Sequence, residues 1–508
     1  LRYGFVIDQD RCIGCHACTV ACKEEHSVPV GVFRTWVKYI EKGRFPDVSR
    51  HFGVMRCNHC DDAPCIEICP TRSLYRRDDG IVDFDPNRCI GCKSCMQACP
   101  YDAIYIDPNS HTAAKCNFCA HRVELNLEPA CVIVCPTQAI IAGDLDDPAS
   151  RPSRIVAEAK VTSRKPHKGT HPKLFYVGID GGVLEPTTTW ESKSHLWAGR
   201  NPAETALELP VGTGRVAGAG RVVYDVAHPA PWGWKIGAYL FTKSIAAGAL
   251  LVAALLLTVG YRADLIMLHF AAPAIAMLFT AITAVLLIAD LKRPDRFYFL
   301  LTKPNPGSWV VIGAWILIAY GGLSFLWIAL AYLSGVPPPI VAWLAALLAI
   351  GAACYTGFLF AQARGRDLWQ SPLFTWHLLM QAVIAGAAVL LIVGVFTGML
   401  SDTELALRNT LAVALVIGLL MILGEMFIAP ASEDVRLATE LLTSGALRGR
   451  FVVGAIGIGI AAPIFMLAFA GRSDSPGGAE VVAAILALAG IWMFDALWVR
   501  AGQAVPLS

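Results

Sequence analysis

The chain has 508 residues, of which 55% are AVILMFWYC and only 16% charged, with a mean hydropathy of +0.52. Soluble domains carry about 25% charged residues, so a wholly soluble globule is excluded and much of the chain is expected in lipid. Forty-two basic against 40 acidic residues leave a net charge of +2, without the basic field of a nucleic-acid binder, and no nucleic-acid partner is expected.

From residue 1 to about 145 the chain is rich in Cys, Pro, Asp and Arg, and its apolar runs (Gly80 to Phe84, Ala103 to Ile106, Ala139 to Ala142) are of strand length at most. Sixteen of the 17 cysteines lie here in four groups: Cys12, Cys15, Cys18, Cys22; Cys57, Cys60, Cys65, Cys69; Cys89, Cys92, Cys95, Cys99; and Cys116, Cys119, Cys131, Cys135. A cubane cluster needs four thiolates converging from one side. A C-x2-C-x2-C loop wraps three irons before its fourth cysteine departs, and in two-cluster ferredoxins that fourth cysteine ligates the other cluster. Groups two and three lie at about the interval of a compact two-cluster ferredoxin, so they are expected to exchange fourth ligands, leaving groups one and four to pair. Four [4Fe-4S] clusters follow. The first set is Cys12, Cys15, Cys18 and Cys135, and the second is Cys116, Cys119, Cys131 and Cys22. The third is Cys57, Cys60, Cys65 and Cys99, and the fourth is Cys89, Cys92, Cys95 and Cys69. Structural zinc does not use repeated three-cysteine loops closed by Cys-Pro. A disulfide framework conflicts with a reducing compartment. The C-x-x-C-H haem string at Cys12 to His16 is followed by two further cysteines at cluster spacing.

Residues 146–230 are rich in Pro, Gly and Thr without helical period and are expected to form an extended connector. Within them Gly212-Thr-Gly214-Arg-Val-Ala217 echoes a dinucleotide fingerprint, but no βαβ pattern surrounds it. Residues 231–508 hold eight apolar segments long enough to cross a membrane: 234–260, 264–289, 308–334, 339–363, 373–397, 410–429, 451–471 and 479–499. An even number returns both ends of the bundle to one side. On that side lie Lys292, Arg293, Arg296, Lys303, Arg364, Arg366, Arg436, Arg448, Arg450 and Arg500, against Arg262, Arg408 and Arg472 opposite. Ten cations against three predict a multi-pass protein of the inner membrane with its cysteine-rich domain cytoplasmic. No amino-terminal signal peptide or twin-arginine segment is visible, in keeping with that orientation. The fold class expected is a duplicated α+β ferredoxin-like iron-sulfur domain (1–145) joined to an all-α eight-helix transmembrane bundle (231–508).

The strings CIGCHACTVACK, CNHCDDAPCIEICPT and RCIGCKSCMQACPYDAI resemble the four-cluster subunit of molybdopterin oxidoreductases such as dimethyl sulfoxide, polysulfide and tetrathionate reductases. The strings GWKIGAYLFTKSIAAGA and DLKRPDRFYFLLTKPNPGSW, with Tyr355-Thr356-Gly357, resemble the eight-helix quinone-binding anchor of the same complexes, the polysulfide reductase membrane-subunit family. The two subunits, usually separate chains, are fused here. The resemblance implies a separate molybdopterin-containing catalytic subunit as partner, with membrane lipid and quinone or quinol at the other end.

Ionisable residues inside membrane helices are costly and point to function. Tyr239 and Lys243 share a face of the first helix, where a lysine offers a hydrogen bond to a quinone carbonyl, the bland alternative being snorkelling. Asp290 opens a string resembling the family's D-L-x-R-P, the alternative being a helix-end carboxylate paired with Arg293 or Arg296. Tyr355 matches the family's quinone-contacting tyrosine, and His377 is a further quinone candidate. Cys354 reads as a packing residue. His269, Glu425 and Asp495 are candidates for a proton path or for pairing across helices. A di-haem cytochrome needs four axial histidines where the helices hold two, so no haem is expected. The expected function is electron relay between the quinone pool and a molybdenum or tungsten catalytic subunit, without a terminal-substrate site on this chain. The alternatives are a stand-alone ferredoxin:quinone oxidoreductase and a proton-translocating quinol-oxidising module.

Overall fold

The computed structural model describes residues 1–191, 220–261, 264–336, 338–470 and 478–508. The Gly212 to Ala217 string, Arg262 and Arg472 lie outside these residues.

The first half is an α+β iron-sulfur region of nested design. Its inner unit carries two small antiparallel sheets, one of β4 (Leu74–Arg76) with β5 (Val82–Phe84) and one of β6 (Ile104–Ile106) with β7 (Ala113–Lys115), and two packed five-residue helices, Pro64–Ile68 and Ser94–Ala98. The outer unit repeats this scheme with parts from both ends of the region. There β1 (Tyr3–Asp8) pairs antiparallel with β8 (Ile140–Asp144), and helix Ala17–Glu25 packs against Ala130–Ile133. The three apolar runs expected as strands become β5, β6 and β8.

The stretch expected as a connector instead builds sheet in its described parts. β10 (Leu174–Val177) runs parallel to β1, with Phe5 opposite Leu174, and β9 (Val161–Thr162) pairs with β10. β12 (Gly220–Tyr224) lies between β11 (Thr189–Glu191) and β2 (Thr35–Arg44), which forms a hairpin with β3 (Asp47–Arg56). Helix Arg151–Glu158 starts on Ser150, whose hydroxyl accepts from the Ser153 amide. Strands of two to five residues carry too few positions for a period to register, yet they cover edges of β1 and β2 that would otherwise be open.

The second half has eight helices of spanning length and composition: α1 (Trp234–Val259), α2 (Met267–Asp290), α3 (Trp309–Ser334), α4 (Pro339–Gln362), α5 (Phe374–Thr397), α6 (Ser401–Phe427), α7 (Gly449–Phe469) and α8 (Gly478–Ala504). α6 begins nine residues before the expected 410 because Asp402, Glu404 and Arg408 continue the helix as a polar first stretch. α1 is the central helix, with 83% of its apolar window buried, whereas α2, α3, α6 and α7 bury 28% and turn residues such as Val285, Phe325, Leu420 and Phe465 outward. Outward apolar faces of this size suit lipid. Helices cross closely where side chains vanish. A Cβ on Gly248 of α1 would meet the Ala382 carbonyl oxygen at 1.8 Å, and one on Gly386 of α5 the Gly248 backbone at 2.2 Å.

The halves are bolted together by polar contacts. Gln97 donates to Gln503 at 2.6 Å and accepts from Arg366 at 2.9 Å, and Arg366 also reaches the Val505 carbonyl at 2.9 Å. Arg364 meets Glu67 at 3.0 Å, and Arg164 donates to the Leu507 carbonyl at 3.0 Å.

Candidate functional site

The cysteine loops of groups one and three adopt the same turn, with left-handed backbone at Gly14 and His16 and again at Gly91 and Lys93. Glycine enters that region without strain, which explains its place inside each C-x-G-C unit. The fourth cysteine of groups two and three, Cys69 and Cys99, follows the end of a five-residue helix and faces the other group. Cys57, Cys60, Cys65 and Cys99 line one cavity, and Cys69, Cys89, Cys92 and Cys95 line another. In the outer unit, burial and then the charges of Cys116 and Cys131 push the Cys22 thiol up, while Cys12 is raised by burial and by Cys135 and Cys15. In the inner unit the thiols grouped by spacing thus line a common cavity, and in the outer unit Cys22 neighbours Cys116, Cys119 and Cys131.

The cavities fit a polynuclear centre. Four thiols converge on each of the two cavities, the donor type and number that a [4Fe-4S] cluster takes. Burial pushes Cys92 and Cys119 up to about 12. Thiols so placed surrender protons readily only to a metal core that supplies positive charge. Thiols of successive sets also lie near enough to feel one another's charge. Cys18 of the first feels Cys131 of the second, Cys116 of the second feels Cys57 of the third, and Cys95 of the fourth feels Cys65 of the third. At one end Cys15 is exposed, with Ile13 beside it 59% exposed. At the other end the fourth set rests on the bundle. Carbonyls of Cys69, Cys89 and Cys92 accept from Asn305 (2.8 Å), Arg296 (3.1 Å) and Trp232 (3.3 Å), and the Gly91 carbonyl accepts from the Lys292 amide at 3.1 Å.

The structure divides the eight candidates in the bundle into four places. Tyr239, Lys243, Tyr355 and Asp495 come together from α1, α4 and α8, each no more than 3% exposed. The Lys243 side chain branches from α1 roughly 14 Å along the helix from Trp234. It does not snorkel; it donates to the Ala353 carbonyl at 2.7 Å and the Thr356 hydroxyl at 2.9 Å, 5.3 Å from the Tyr355 ring centre. The Tyr239 hydroxyl meets Thr356 at 2.5 Å, and Gln381 of α5 bonds the Asp495 carboxylate. A Cβ on Gly313 of α3 would come within 2.2 Å of Tyr355, so that glycine makes room for the ring. His377 pairs with Glu425 at 3.0 Å, one turn along α5 from Gln381, and stacks on Phe494. His269 stands apart against Trp327.

Asp290 is placed elsewhere. It pairs with Lys93, between Cys92 and Cys95, at 2.7 Å, rather than with Arg293, which holds Asp295. Four contributors escaped sequence reasoning: Lys93, Arg56, Thr356 and Gln381. His377 and Gln381 sit four apart in an otherwise apolar run, a spacing that marks one helix face. Thr356 stood inside the quoted Tyr355-Thr356-Gly357 string without a role assigned to it, while Lys93 and Arg56 adjoin ligand cysteines and carried no signal of their own.

Residues 223–506 match the family described as polysulphide reductase, NrfD; residues 48–145 match a 4Fe-4S dicluster domain, and residues 3–24 a 4Fe-4S binding domain. The sequence is similar to that of a tetrathionate reductase subunit of Salmonella typhimurium, 43% identical over 189 residues that cover 36% of this chain and 76% of that protein. It is similar also to a polysulfide reductase polypeptide of Wolinella succinogenes, 41% over 187 residues (36% and 98%). A third relative is the arsenate respiratory reductase iron-sulfur subunit ArrB of Shewanella sp., 35% over 227 residues (35% and 96%).

Proposed function

The protein belongs to the polysulphide reductase NrfD family, with 4Fe-4S domains ahead of its membrane half, and from that premise we propose that it is the electron-transfer and anchor subunit of a reductase-type complex. It relays electrons between the quinone pool and a separate molybdopterin catalytic subunit. What supports this reading is the succession of thiols from exposed Cys15, through sets that feel one another's charge, to the carbonyls of Cys69, Cys89 and Cys92 bonded to the bundle. The residues named for each set would hold one [4Fe-4S] cluster apiece, which supplies one-electron chemistry when bound.

At the membrane end, Lys243, Tyr239 and Tyr355 would bind and orient the quinone head group, with Thr356 fixing both Lys243 and Tyr239. Asp495, through Gln381, and the His377–Glu425 pair would carry protons away from it. His269, packed on Trp327, is left out of this path, and Asp290 would serve docking. Purification from native membranes with metal analysis tests the whole reading. About sixteen irons per chain with a stoichiometric molybdenum- or tungsten-containing partner is expected. Iron without a partner would favour a ferredoxin:quinone oxidoreductase. For the proton path, Glu425→Gln is expected to change the proton-to-electron stoichiometry, and an unchanged ratio rejects proton translocation.

The inner-membrane, cytoplasmic placement of the cluster domain rests on the ten-to-three cation count. Arg293, Arg296, Arg364 and Arg366 of those ten also bind cluster-domain groups, a reason to sit on that side in either orientation. Protease cutting at the exposed Phe45–Pro46 turn decides. Cleavage in inside-out vesicles and protection in right-side-out ones is expected, and the reverse rejects the placement.

A further inference from the structure

Arg56 is the last residue of β3 and precedes Cys57, yet its side chain does not face the third set. The guanidinium is 0% exposed, and Nη1 donates to Cys131 Sγ at 3.1 Å, from which its charge also reaches Cys116 and Cys18. Beneath it lies the Phe5 ring, 4.6 Å away. Among the described residues no carboxylate lies within ion-pair distance of it, and Nε and Nη2 have no partner. A buried cation without a counter-charge is severely destabilising, so its answering anion has to be sulfur. Lys38, Lys93 and Lys173 differ in having Asp225, Asp290 and Asp61, and Lys115, whose charge reaches Cys65 of the third set, donates to the Val82 and Cys116 carbonyls rather than to a thiol. The second set also has His26 Nε2 3.1 Å from Cys119 Sγ. Arg56, whose guanidinium stays protonated throughout the working pH range, brings a permanent formal charge to this place.

We propose that Arg56 sets the reduction potential of the second cluster, and to a lesser degree of the first, raising both above the values they would have without it. This rests on the four-cluster reading above. One electron arriving on a cluster adds one negative charge to the thiolate and sulfide assembly, and a fixed guanidinium in van der Waals range favours the more negative state. A raised potential there makes these two clusters readier electron acceptors, on the side of exposed Cys15.

The test is a potentiometric titration, followed by electron paramagnetic resonance, of the full-length protein and of Arg56→Met and Arg56→Lys. In Arg56→Met, reduction of one or two clusters should become at least tenfold less favourable, a fall of 59 mV for one electron, with the remaining clusters unmoved. Arg56→Lys, which keeps the charge and loses the fork, should give a smaller fall in the same clusters. Four unchanged potentials in Arg56→Met at full iron content overturn the proposal, as does an equal fall in all four. Should Arg56→Met lose iron, Arg56→Lys carries the test, and unchanged potentials there overturn it. Fewer than four cluster signals in the unmodified protein would overturn the cluster reading itself, and this inference with it.

Discussion

Around the cysteines and inside the bundle the protein buries charge by opposite means. In the cluster domain Lys38, Arg56, Lys93, Lys115 and Lys173 are all at most 6% exposed, and they answer sulfur, main-chain carbonyls and carboxylates within a few residues of the thiol loops. In the bundle the ionisable groups of the candidate site pair across helices instead, Asp495 of α8 facing Lys243 of α1 and Glu425 of α6 facing His377 of α5. The first arrangement is dense, although its partners come from distant parts of the chain, as with Lys38 and Asp225 or Lys173 and Asp61, so the loss of one member leaves neighbours to compensate. The second depends on helix packing across the whole bundle, and each of its members is irreplaceable by its neighbours. The thiols themselves are the exception in the first region, since a cluster has no spare ligand.

The largest effect is therefore expected at a thiol in the middle of the succession. Cys60→Ser should remove one cluster, with iron falling by about four per chain, and should abolish reduction of the exposed end by quinol while the bundle still binds quinone. Electron transfer at an unchanged rate would break the serial order. Next comes Lys243→Met, which deletes the only cation of its site. Quinol oxidation should fall about 10²-fold, the cost of removing one preorganised donor aimed at developing charge, with iron content unchanged. Lys243→Arg should not rescue, because Thr356 and the Ala353 carbonyl fix a compact ammonium at 2.9 and 2.7 Å. If Lys243→Met loses iron as well, the two regions are not separable as described.

The same contrast explains what was legible in the sequence. Thiol spacing is a local property, and the two inner cavities, with Cys69 and Cys99 each facing the other group, were legible in it, because a short helix carries the fourth cysteine of each group away from its loop. Helix existence in the bundle was equally plain from apolar length. Its polar partners were not. Nothing in the sequence joins Glu425 to His377 or Asp495 to Lys243, since those contacts arise from how α5 lies against α6 and how α1 lies against α8. Asp290 was misjudged for the same reason: its partner Lys93 is 197 positions away, on the other half of the chain, while Arg293 and Arg296 stood temptingly near. The strands of 146–230 escaped because each is too short to show alternation, as with Leu174–Val177, where only Leu174 and Tyr176 are buried.

A third effect falls on the joint between the regions. Asp290 and Lys93 are 11% and 7% exposed in their side chains, so Asp290→Asn leaves a nearly buried ammonium unanswered, at a cost of about 3 kcal/mol. Thermal unfolding should shift accordingly, and electron transfer from bundle to clusters should slow while quinone affinity holds. Weakened quinone binding instead would return Asp290 to the quinone site.

The smallest effect is a pH dependence at the same joint. His228, in the approach to α1, sits with Nδ1 2.5 Å from Asp102 and Nε2 3.3 Å from Asp225, and against burial these carboxylates raise it to about 10. A histidine raised above its ordinary value of about 6.5 adds stability that is complete below that pH and is lost as pH climbs through about 10. The difference in melting temperature between the unmodified chain and His228→Gln should be widest near pH 6 and should shrink toward pH 10. The carboxylates involved are already ionised throughout that range, because their nearness to His228 holds both below the usual Asp value, so the change belongs to the imidazole. A gap independent of pH would mean that His228 acts by packing on Trp36, 5.7 Å away between ring centres, rather than by charge. The joint would then resemble the bundle, held by shape, more than the cluster domain, held by charge.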